Sequence, residues 1–292
     1  MSEKLEFKKL REFGEIINDT FRFIKENFKP LVKTYIYFCG IFLLAGMIAA
    51  IIQQTGALKG ITYTASNNPF DTMRYKYVTT SYVFVIFISL FSYTAINVSI
   101  LSFIAIYIKK GNIAPTLEEV WGYFKYFFLR VFGSSIAIGA FIMVCFILCL
   151  VPGIYIFPAA SLMLPIMIFE NASLGYSFSH AFKLLKNQWW VTAASILVLW
   201  LITMATSSLA SFPSMMMIMA SAFAHGPKAI STTVIIISTV IQYVCQILMI
   251  IPIIGISLCY YNLSESQHSE GLMDRINKMG EHEDPFQQKA EY

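Results

Sequence analysis

The chain predicts an all-α, polytopic membrane protein with six transmembrane helices, and three observations carry that expectation. Hydrophobic residues fill 57% of its 292 positions, charged residues only 13%, and mean hydropathy is +0.64. The apolar residues gather in six runs, most of them long enough to cross a hydrocarbon layer of about 30 Å. Lysine and arginine are unevenly shared, 17 on one side of the six runs and 4 on the other. The positive-inside rule then places both termini in the cytoplasm.

Residues 1–33 read as a cytoplasmic segment with an interfacial helix. Phe13, Ile16, Ile17, Phe21, Ile24 and Phe28 follow helical spacing, with Arg22, Lys25, Glu26 and Lys29 off the stripe. A basic amphipathic helix before a span lies most simply among lipid headgroups. The charged start, MSEKLEFKKLREFGE, lacks the apolar core of a cleavable signal peptide.

The spanning domain covers 34–261. The first span is Thr34 to Ile52, and Gly40 and Gly46 allow close helix contact. Residues 53–81 carry two alternating stretches, Ile61-Thr-Tyr63 and Tyr75-Lys-Tyr77, about the turn-like Ser66-Asn-Asn-Pro69. That pattern reads as a β-hairpin outside the membrane. The second span, Tyr82 to Ile108, holds Ser89, Ser92, Ala95, Ser99 and Ser102 on one narrow face, suited to seating a neighbouring helix.

Thr116-Leu-Glu-Glu119 is a capping box that starts a short aromatic segment, Leu117 to Phe128, read as a second interfacial helix. The third span is Leu129 to Leu150, and Val151-Pro-Gly153 reads as the turn into a short fourth span, Ile154 to Phe169. Pro158 and Pro165 inside it each remove a backbone donor, so a kink or outside partners are expected. A third interfacial helix, from Gly175, precedes the fifth span, Trp190 to Phe212. That span bears a hydroxyl stripe of Thr192, Ser195, Thr203 and Thr206, with Ser207 beside it. Lipid offers hydroxyls no partner, so the stripe should face protein or a wet cavity. Residues 213–232 read as an interfacial or re-entrant loop, and the sixth span, Thr233 to Tyr261, contains Gln242 and Gln246. The tail, 262–292, is polar, with Leu272, Met273, Ile276 and Met279 suggesting one amphipathic turn.

The segment from Gly14 aligns without gaps on the one from Gly175, pairing Phe21 with Phe182, Lys25 with Lys186 and Phe28 with Trp189. Leu117 to Phe128 resembles both more weakly. Three units, each an interfacial helix followed by a transmembrane hairpin, are the expectation.

The sequence carries no catalytic, cofactor or metal motif. Cys39, Cys145, Cys149, Cys245 and Cys259 lack disulfide or zinc spacing and read as packing residues. His180, His225, His268 and His282 are scattered, and the methionines at 215–219 read as apolar filler rather than a Cu(I) site. No soluble module is basic enough for nucleic acid. Proton-coupled transport usually needs an ionisable group near mid-depth, and no span contains one. Glu170 is the acid at a span end, to be paired with Lys183, Lys186 or an N-terminal base in a structural role.

Gly14-Glu-Ile-Ile-Asn-Asp-Thr-Phe21, Val151-Pro-Gly-Ile-Tyr-Ile156, Glu170 and the stretch from Ser177 to Trp190 resemble a bacterial family of multi-spanning proteins. These are the glycerophosphoryl diester phosphodiesterase membrane-domain proteins. The resemblance implies a bacterial inner-membrane domain without its own activity. A fused phosphodiesterase barrel would need about 250 residues with acidic metal ligands, and the residues after Tyr261 are too few to be one.

The expected function is a non-enzymatic integral membrane protein that organises or regulates lipids or membrane partners. The alternative is a transporter or channel for a small or lipidic solute, its polar path marked by Thr203, Thr206, Ser207, Gln242 and Gln246. The lipid bilayer and other membrane proteins are the expected partners, and oligomeric state is left open.

Overall fold

The computed structural model describes residues 4–61, 69–148, 150–225, 232–268 and 273. Its helices are α1 (Phe13–Glu26), α2 (Phe28–Ile61), α3 (Pro69–Lys109), α4 (Leu117–Leu148) and α5 (Leu150–Phe169). They continue with α6 (Leu174–Leu185), α7 (Trp189–His225), α8 (Thr232–Cys245) and α9 (Ile250–His268). Six helices are long and apolar enough to span a membrane, and the described residues contain no strand. The chain is an all-α, multi-pass membrane protein by this measure.

Several local expectations give way. The hairpin pattern at Ile61 and Tyr75–Tyr77 is helical, because α2 and α3 continue beyond their apolar windows as a long antiparallel pair. Residues 62–68 lie outside the described residues. Leu117 to Phe128 is no separate helix but the first turns of α4, which runs unbroken into its span. The predicted capping box is present, with Thr116 N–H donating to Glu119 Oε2 at 2.8 Å.

Val151-Pro-Gly153 belongs to the first turn of α5 rather than to a turn between spans, α4 ending at Leu148 and α5 beginning at Leu150. A first-turn proline is tolerated because that N–H would lack a helical partner anyway. Residues 213–225 extend α7 rather than looping, and Pro213 sits inside it. The sixth span is broken by a 3₁₀ turn at Gln246–Met249, and helix continues past Tyr261 to His268 with Asn262, Leu263 and Glu265 buried. The amphipathic turn expected at 272–279 lies outside the described residues, apart from Met273.

α5 passes both internal prolines as one helix. Its span is 61% buried inside the protein, against 17% for that of α4. Surrounding helices shelter the backbone groups that proline leaves unpaired, which bare lipid would not. α9 is buried nearly all round, from Ile250 to Glu265. With the second half of α5 and residues 92–107 of α3, it forms a core at the end of the bundle where the N-terminal segment also packs. Toward the opposite end, large apolar side chains such as Leu44, Ile48, Phe84 and Leu209 point outward, as a lipid-facing surface requires.

α1 turns Ile16, Thr20 and Phe23 into the protein against α9 and the end of α3, so its inward stripe is rotated from the one read in the sequence. Phe23 packs edge-on against Tyr107 at 5.1 Å. α6 also packs on protein: Phe178 meets Phe141 of α4 at 5.6 Å, and Phe182 meets Tyr155 of α5 at 6.4 Å. Phe141 lies toward the end of α4 and Tyr155 near the start of α5, both away from Glu170, so α6 runs back beside α4 and α5. The small-residue face of α3 seats α2, where Cys39 Sγ lies 3.7 Å from Ser99 Oγ. α1 and α6 begin 161 positions apart, at Phe13 and Leu174, and α2 and α7 keep that offset, at Phe28 and Trp189.

Candidate polar pocket at the bundle end

The end of the bundle that carries the core also carries a cavity of about 620 Å³. Its walls come from the N-terminal segment, the end of α3, the α5–α6 connection, α6 and the last turns of α9.

Local chemistry fixes each wall. α3 stops at Gly111 and Asn112, both at φ 67°, and their N–H groups return to Ile108 and Tyr107 carbonyls at 3.1 and 2.9 Å. Glycine and asparagine suit that left-handed pair because other side chains would strain it. α5 stops at Asn171, φ 52°, whose side chain accepts from Arg130 Nη1 at 2.8 Å. That cap sets the position of Glu170, one residue earlier.

The N-terminal segment is held by Arg11, which sequence reasoning passed over as one more surface base. Its side chain is 1% exposed and donates from Nε to Asp19 Oδ2 at 2.8 Å. Its other nitrogens donate to the carbonyls of Glu6, Phe7 and Lys9. The Arg11 backbone N–H donates to Asn262 Oδ1 at 2.8 Å. Phe7 is thereby placed among Phe23, Tyr107 and Tyr261, edge-on pairs worth about 0.5–1.5 kcal/mol each.

Glu170 lines the pocket at the end of α5. Tyr260 Oη donates to its Oε1 at 2.7 Å, and His180 Nε2 lies 3.3 Å from the same oxygen. The expected lysine partners, Lys183 and Lys186, do not appear among its described contacts. Tyr176 stacks on His180 at 5.2 Å and also faces Glu170. The nearby carboxylate pushes the Tyr176 hydroxyl above the ordinary tyrosine range, because a second negative charge beside it is disfavoured. Glu6, Lys8, Lys109, Asn112, Ser264 and His268 add to the polar lining. Tyr176 and His180 stand one helical turn apart, four residues being one helix face. That spacing, just after a span-end acid, was the available signal.

The residues expected to mark a polar path lie elsewhere. Thr203 is buried and donates to Leu199 O at 2.8 Å, while Thr206 is exposed and donates to Ile202 O at 2.8 Å. Ser207 is half-buried, Gln242 is exposed on α8, and Gln246 falls in the 3₁₀ turn. A second cavity, of about 310 Å³, lies instead among α3, α4, α5, α7 and α9, with Asn97, Ser135 and Ser161 on mostly apolar walls. Ser135 Oγ is buried there without a hydrogen-bond partner.

Among the described residues no group of three or more His, Cys, Asp or Glu is placed to hold a metal ion. Comparison with known protein families, curated proteins and solved structures finds no match.

Proposed function

We propose that the chain is a non-enzymatic integral protein of a bacterial inner membrane, both termini cytoplasmic, that regulates lipids or membrane partners through the Glu170 pocket. One observation carries this reading: five separate stretches of sequence, Glu170's own among them, line a single cavity at the bundle end. The 17-to-4 bias of Lys and Arg supports a cytoplasmic position for that end. The shared offset of α1–α2 and α6–α7 supports reading the chain as repeated helix-plus-hairpin units. Tyr176 and His180 lie in the α6–α7 unit, and Arg11 and Phe7 stand just before α1 of the first.

The test is purification of the full chain from native membranes in mild detergent, followed by reconstitution into sealed liposomes. Defined lipids or membrane proteins should co-purify with the wild type and be lost from a His180→Ala, Tyr260→Phe variant that keeps its melting temperature. Liposomes loaded with small solutes should stay sealed. Protein-dependent solute flux would overturn the reading.

A second reading, a transporter or channel for a small or lipidic solute, draws on the cavity that holds Asn97, Ser135 and Ser161. Under it, Ser135→Leu should abolish flux while leaving the pocket at Glu170 intact.

A further inference from the structure

Resting on that pocket, we infer that the Glu170 cavity takes a zwitterion pairing an ammonium group with a phosphate, as in the headgroup of an amine-bearing phospholipid. Two carboxylates, Glu6 and Glu170, and two lysines, Lys8 and Lys109, line the cavity. Their formal charges cancel, so a ligand of one sign gains at one end and loses at the other. A ligand bearing both signs gains at both.

Glu170 and Lys109 enter from different elements, while Glu6 and Lys8 share the N-terminal segment. Glu170 stands at the end of α5 against α6 and α9, whereas Lys8 and Lys109 arrive from the N-terminal segment and the end of α3. The Glu170 side is aromatic: Phe169 packs on Tyr260 and Tyr261 at 5.3 and 5.2 Å, and Tyr176 closes over His180. A carboxylate beside aromatic faces is the chemistry that holds an organic ammonium. Tyr260 Oη and His180 Nε2, at 2.7 and 3.3 Å, both lie on Oε1 and orient this carboxylate. Lys109 lines the cavity and would meet a phosphate there, its Nζ donating meanwhile to Tyr123 Oη at 2.5 Å outside the lining. The apolar runs of α3 and α5 end at Lys109 and Phe169, which sets the cavity at the level where lipid headgroups lie.

The test uses native mass spectrometry on the full chain in detergent. The probes are an amine-bearing phospholipid, a phosphoglycerol lipid with the same acyl chains, and soluble O-phosphoethanolamine. The amine lipid should bind roughly tenfold more tightly than the phosphoglycerol lipid, and Glu170→Gln should erase that preference. Lys109→Gln should weaken both lipids while Lys109→Arg, which keeps the charge, should not, and melting temperatures of the two variants separate lost binding from lost folding. Competition by soluble O-phosphoethanolamine assigns the same chemistry to a soluble source, and lack of competition assigns it to the membrane. Equal affinity for the two lipids, or a preference that survives Glu170→Gln, overturns the inference. That outcome leaves the regulatory reading standing, which falls only to solute flux.

Discussion

Arg11 and Asn262 meet although 251 positions separate them, the arginine backbone N–H donating to the asparagine side chain at 2.8 Å. One residue lies just before the first helix and the other in the second half of the last. Around this contact the Arg11 guanidinium gathers Asp19 and three backbone carbonyls, so the pocket wall formed by Glu6 to Lys8 depends on it.

Arg11→Ala should therefore cost on the order of 3–5 kcal/mol, since it strands a largely buried carboxylate and three carbonyls. Arg11→Lys should recover little, because an ammonium lacks the planar fork that reaches several acceptors. Thermal unfolding in detergent checks the loss, and limited proteolysis should cut the N-terminal segment first.

Gly255 lies where a Cβ would come within 2.1 Å of Leu199 Cδ1, and Leu199 is fully buried. Gly255→Ala should destabilise the α7–α9 contact by about 1–3 kcal/mol. Shortening Leu199 to alanine in the same chain should restore part of that loss. A double-mutant cycle on melting temperature would show it, and additive effects would refute the contact.

Tyr176 ionises above the ordinary tyrosine range because the Glu170 carboxylate faces it. Its folded-state value is raised, so its contribution is complete below the unfolded tyrosine value and fades as pH rises beyond about 10. Stability should thus fall on the alkaline side, not the acid side, on this account. The ultraviolet titration of the wild type minus that of Tyr176→Phe should leave a phenolate that forms above the ordinary range, and Glu170→Gln should move it downward.

Gln267 Nε2 donates to the carbonyls of Lys183 and Leu184 at 3.2 Å, closing the end of α6. Gln267→Ala should cost about 0.5–1.5 kcal/mol. Amide exchange in the last turn of α6 should rise without a matching rise in α5.

The six spans were readable because runs of Leu, Ile, Val and Phe need no distant partner to enter lipid. What the sequence hid was decided by partners far along the chain. Glu170 looked like an interfacial acid awaiting a lysine, yet its partners are Tyr260, ninety positions on, and His180. Phe23 looked peripheral to its helix until Phe7 and Tyr107 claimed it. The alternation at Tyr75 to Tyr77 resembled a strand only because local pattern cannot register a helix already propagating from a packed span. The cap at Thr116 was legible for the opposite reason, its chemistry lying within four consecutive residues.

The Arg11–Asn262 contact also sets a clock on biosynthesis. A ribosome adding about 5–20 residues each second delivers the asparagine on the order of ten seconds or more after the arginine. Throughout that interval the opening segment has no seat, and early spans must enter the bilayer before the lock that finishes the fold exists. Chains halted before the final helix should therefore be inserted yet open to quality-control proteases at their leading end.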